Sequence, residues 1–169
     1  MTRYKDEIHD IGVAACTQLF ESYGVILAKE DEPVAARGEL HYCGIITLTG
    51  ENIRGTLGLA SAPALLGRSD PTKVGSRDWV GELANQLAGR VKRRLLARSV
   101  EINYSTPVVL RGEQLRLTDT SPVKTLWFRS EDDNQICLWL DVELADQFEM
   151  AREDDDELGG LPEGDFLLF

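Results

Sequence analysis

A chain of 169 residues with 43% apolar content is long enough for one domain with a sizeable core and too short for two. No apolar run approaches the roughly 18 residues of a membrane span and the start, Arg3 to Asp10, is charged, so neither insertion nor export is expected and the location read from the sequence is cytoplasmic. Of the net charge of −11, nine acids against one arginine in residues 145–169 contribute −8 and leave −3, which argues against a nucleic-acid partner and divides the chain into a domain, 1–144, and an acidic C-terminal tail, 145–169.

Ile8, Ile11, Ala15 and Leu19 recur at helical spacing, so residues 5–23 read as an amphipathic helix closed by Gly24. A short strand is expected at 24–28 and a turn at 30–33. Residues 39–49 and 53–60, rich in Ile, Leu and Thr, form a hairpin across Gly50, Glu51 and Asn52. One helical turn at 62–66, with Pro63 tolerated near its start, leads into a polar loop, 67–75.

Residues 76–98 form the central helix. Val80, Leu83, Ala84, Leu87, Val91 and Leu95 gather on one side as a core-facing stripe. The other side collects Asp78, Glu82, Asn85 and Gly89, three and four residues apart, along one exposed ridge. Ser76 is the expected N-cap, and Arg90 to Arg94 complement the negative end of the helix dipole. A mid-helix glycine costs about 1 kcal/mol against alanine, so Gly89 is read as a gap that lets another molecule approach.

Val100, Ile102 and Tyr104 then alternate with polar residues, Val108 to Leu110 continue the extended pattern past Pro107, and a further strand is expected to end near Leu117. Residues 124–129 and 135–144 make a second hairpin across Glu131 to Asn134. This order gives a single α+β domain with a largely antiparallel sheet packed against two long helices. The helix-strands-helix-strands order suggests a weak duplication, in which Asp10, Ala14 and Thr17 of the first helix stand opposite Asp78, Glu82 and Asn85.

Three cysteines, Cys16, Cys43 and Cys137, lack CxxC spacing and lie in apolar segments, so they read as small buried hydrophobes. His9 and His41 have no ligand companions at helical or hairpin spacing, and no metal or cofactor of the chain's own is expected. Asparagine is neither nucleophile nor base at neutral pH, but its amide donates to one oxygen while accepting from a water. Glu82 and Asn85 are therefore no self-sufficient hydrolase. They make sense where a partner brings the metal and the electrophile, a division that suits phosphoryl transfer.

Asp78, three residues, Glu82, two residues, Asn85 and then 21 residues to Pro107 resembles the D/S-x3-E-x2-N…P signature of the CheX and CheC chemotaxis phosphatases, and ELANQLAG is similar to that family's helix. The resemblance spans residues 3–144. A single Glu and Asn pair is closer to CheX, since CheC-type proteins are expected to carry one in each half. The resemblance implies a CheX/CheC-like fold and a phosphatase acting on the aspartyl phosphate of a CheY-type response regulator that holds its own Mg²⁺. It further implies that Asn85 aligns the attacking water, Glu82 pairs with the regulator's active-site lysine, Asp78 is a helix-start or rim residue and Pro107 shapes the site. The alternative is a non-enzymatic regulator-binding or flagellar switch module. Dimerisation is also implied, with the apolar strand 135–144 as the expected pairing edge, and the apolar end, Phe166 to Phe169, is expected to dock on this chain or a partner.

Overall fold

The computed structural model describes residues 2–31, 40–113, 115 and 125–151. The strand expected to end near Leu117, part of the turn at 30–33 and the apolar C-terminal end fall outside them. In chain order the elements are α1 (Thr2–Glu21), β1 (Leu27–Glu30), β2 (Tyr42–Thr49), β3 (Ile53–Ser61), α2 (Pro63–Ser69), α3 (Ser76–Leu96), β4 (Asn103–Tyr104), β5 (Val108–Arg111), β6 (Thr125–Ser130) and β7 (Gln135–Leu144).

The strands form one sheet in the order β1-β6-β7-β3-β2, and β4 and β5 both pair with the far side of β2. Every pairing is antiparallel. The two expected hairpins, β2–β3 and β6–β7, are present and are joined by the long β3–β7 pairing, Ile53 opposite Leu144 through to Ser61 opposite Ile136. This corrects the expected pairing edge. β7 is interior, with strands on both sides, and its apolar sequence reflects burial on both faces rather than a free edge.

Alternation along the strands splits their side chains between two faces. Ile46, Leu57, Leu59, Phe128, Leu138 and Leu140 face the helices and form the main core with Ile8, Leu19, Leu83, Leu87 and Val91. Leu40, Cys43, Ala60 and Cys137 form a smaller cluster with the half-buried Trp127 and Trp139. All three cysteines are buried and none is in a disulfide. Burial drives the thiol of Cys16 far above its ordinary pKa and pushes that of Cys43 up to about 12, which suits packing rather than reactivity. Phe148 and Met150, beyond the expected domain boundary at 144, are also buried, and the ring of Phe148 meets Tyr4 edge-on at 5.4 Å.

The long helices run antiparallel. Arg98 reaches Glu7, Arg94 reaches Gln18 and Arg90 reaches Ser22, so residue numbers rise on α3 as they fall on α1. α1 ends as its sequence indicates: Gly24 takes a positive φ of 71° and the Val25 N–H returns to the Phe20 carbonyl. α3 lies on β2 at close range, because a methyl added at Gly44 would sit 2.7 Å from Ala84 Cβ and 2.9 Å from the Val80 carbonyl oxygen. The missing side chain at Gly44 is what lets the helix settle there.

Candidate functional site: the exposed ridge of α3

The start of α3 is fixed by its preceding loop and not by the expected cap. Ser76 is the first helical residue and the N-cap position is Gly75, at φ 100°, where no side chain caps the helix. The polar work is done from Asp70. Its Oδ1 accepts from the Thr72 and Lys73 N–H groups and the Thr72 hydroxyl, and its Oδ2 accepts from the Gly75 N–H at 3.1 Å. Burial pulls the Asp70 pKa upward, but the bonds from Gly75, Thr72 and Lys73 outweigh it and hold the carboxyl below its ordinary value. Spacing alone could not reveal this, because the carboxylate comes from six residues before Ser76.

The ridge forms at the expected positions but is only partly exposed. Val80, Leu83, Ala84, Leu87, Val91 and Leu95 are buried, Asp78 and Glu82 are exposed, and Asn85 and Gly89 are half-buried. Residues four apart on a helix are neighbours, so Asn85 has Gly81 on one side and Gly89 on the other. A Cβ at Gly81 would lie 3.0 Å from Val109 and 3.8 Å from the Pro107 ring, and one at Gly89 would lie 3.4 Å from the Tyr104 hydroxyl. The chain between β4 and β5 therefore walls one flank of the ridge, with Pro107 and Tyr104 on either side of Asn85. The Gly89 gap is bounded by this protein's own tyrosine, and the role of Gly81 is one that the sequence reading missed. Asn85 makes no hydrogen bond to any described residue, which leaves both ends of its amide available.

Along the other flank runs a hydrogen-bonded path. The Gln86 amide N–H donates to Glu82 Oε1 at 2.8 Å, and the Tyr23 hydroxyl donates to Gln86 Oε1 at 2.8 Å. The Tyr23 ring meets Trp79 edge-on at 5.0 Å, and the Trp79 indole N–H donates to the Ser69 hydroxyl at 2.9 Å. The first helix offers nothing equivalent to the Glu and Asn pair, since the Thr17 hydroxyl turns back on the carbonyls of Val13 and Ala14.

A separate groove of about 570 Å³, lined in part by Glu51, Glu101, Phe148 and Glu149, lies beyond the C-terminal end of α3, away from Glu82 and Asn85. Among the described residues no three His, Cys, Asp or Glu side chains are placed to share a metal ion, and no helix is long and apolar enough to cross a membrane. His9 is buried, with Nε2 2.9 Å from the Leu140 carbonyl.

Comparison with known proteins agrees with this architecture. The profile of the family described as chemotaxis phosphatase CheX matches residues 42–131, which includes the ridge, Tyr104 and Pro107. Chemotaxis protein CheX from Vibrio vulnificus is similar in structure at TM-score 0.67 and 20% identity, covering 81% of this chain and 97% of that one. A CheX–CheY–BeF₃–Mg²⁺ complex from Borrelia burgdorferi gives 0.56 at 14% identity over 83% and 97%, and the FliM middle domain from H. pylori gives 0.54 at 9% over 82% and 89%. No curated protein is significantly similar in sequence. With the profile match covering more than half of its length, this chain belongs to the CheX chemotaxis phosphatase family.

Proposed function

We propose that the chain dephosphorylates the aspartyl phosphate of a CheY-type response regulator, with Glu82 and Asn85 entering the regulator's active site. The observation that carries this reading is the pairing, on one ridge of a CheX family member's helix, of an exposed carboxylate with a half-buried carboxamide that has no hydrogen-bond partner among the described residues. In this reading Asn85 accepts a hydrogen bond from a water with Oδ1 and donates with Nδ2 to an oxygen on the regulator's side. The water oxygen bonds to phosphorus as the bond to the aspartyl oxygen breaks, which releases inorganic phosphate and the free carboxylate. The water's proton passes to the departing phosphate or to solvent. Glu82 pairs with the regulator's lysine and sets the register between the two proteins. In this reading Mg²⁺, named in the Borrelia CheX–CheY complex, is held by the regulator.

An amide that orients water acts mainly on the chemical step. Asn85→Ala is expected to lower turnover about 10²-fold while leaving most regulator affinity, whereas Glu82→Ala, which removes one partner of an interfacial charge pair, should weaken association by about 2–5 kcal/mol as well as rate. The measurement is phosphate release from an acyl-phosphorylated regulator beside a titration of binding. Wild-type turnover in Asn85→Ala would end the catalytic assignment. The second reading, a non-enzymatic binding or switch module, draws on the fold shared with the FliM middle domain. Substoichiometric protein that fails to speed loss of the acyl phosphate would favour it.

A further inference from the structure

We infer that Tyr23 and Gln86 are positioning residues that hold Glu82 in the pose it offers to the regulator. The inference rests on the role given to Glu82 above. An exposed glutamate samples several rotamers, and selecting one on binding carries an entropic cost. Here Oε1 is already engaged by Gln86, which leaves Oε2 as the oxygen open to an incoming cation.

The orientation of the Gln86 amide is dictated by chemistry. A carboxylate only accepts, so the NH₂ end must face Glu82 and the carbonyl end must take the phenol proton of Tyr23. A Glu and Gln pair one turn apart would by itself be an ordinary surface contact. What distinguishes this one is that its far end is anchored in another element. Tyr23 follows the last turn of α1, its ring stands at 84° to that of Trp79, and Trp79 is buried with its indole N–H held by Ser69 at the end of α2. The pose of one exposed carboxylate on α3 is thereby referred to the C-terminal ends of α1 and α2.

The test uses the full chain and a CheY-type receiver phosphorylated on its acceptor aspartate. Tyr23→Phe keeps the ring against Trp79 and removes only the hydroxyl; Gln86→Leu removes the bridge. Each should raise KM about three- to tenfold, the scale of one lost hydrogen bond, with kcat and the thermal midpoint close to wild type. In a Glu82→Ala background Tyr23→Phe should add nothing, because the group it serves is gone. An equal KM rise in that background would mark a structural effect and overturn the inference. If Glu82→Ala raises KM while neither Tyr23→Phe nor Gln86→Leu does, the positioning role alone fails. If Glu82→Ala binds and turns over like wild type, the reading of Glu82 fails and takes the inference with it.

Discussion

Asp70 and Asn85 show two opposite uses of a polar side chain on this protein. The Asp70 carboxylate is saturated with donors from its own loop, while the Asn85 amide meets none among the described residues. Saturation has a pH consequence. The pKa of Asp70 is lowered on folding, so its stabilisation is fully present above the unfolded value of about 3.9 and is lost as pH falls below that through the folded value. Asp70→Asn should therefore melt below wild type at neutral pH, and the gap between their melting temperatures should narrow once pH drops below about 4. A constant gap across that range would remove the ionised carboxylate from the account. Gly89 gives a second test at this scale. Gly89→Ala should stabilise α3 by up to about 1 kcal/mol, with the Tyr104 hydroxyl giving slightly, whereas Gly89→Gln sets a long side chain one turn from Asn85 and should slow dephosphorylation without unfolding the chain. Thermal melts and phosphate release on the two variants separate these effects.

At the scale of elements, the ridge is placed by how α3 meets the sheet. Gly44 permits that approach, and a branched side chain there would press on the Val80 carbonyl and Ala84. Gly44→Val is expected to cost about 1–3 kcal/mol or more and, by lifting the helix from β2, to reduce turnover per folded molecule. Full turnover per folded molecule would show that the site tolerates a displaced helix. The two long helices were legible in the sequence because Leu19, Leu83 and Leu87 belong to stripes whose period is local. Glu82 and Asn85 were legible for the same reason, since their shared ridge follows from helical spacing alone. The interior place of β7 was not legible because Ile136, Leu138 and Leu140 look alike in an interior or an edge strand, and its second neighbour, β3, is chosen by pairing across the chain. Tyr23 stayed hidden for a related reason: it meets Gln86 across a separation of 63 residues, which no periodicity can report.

For the whole molecule, one core joins both long helices to the sheet. Leu83→Ala removes a fully buried side chain on α3 and should cost about 2–5 kcal/mol. Because nothing in that core divides it, the far-ultraviolet signal of the helices and the near-ultraviolet signal of the aromatic residues should fall in one coincident transition. Separate transitions would show that the helices and sheet unfold independently. β5 follows Pro107 directly, pairs with β2 on one side and has no second partner strand among the described residues. Val109 of that strand touches α3 at Gly81, one position before Glu82, while Val108 and Leu110 stand 61% and 46% exposed. A visiting strand that hydrogen-bonded to the side of β5 away from β2 would come to rest alongside the Asn85 ridge. Traffic at that sheet margin and admission of a regulator would then compete for the same space, so whatever extends the sheet there also acts as a gatekeeper.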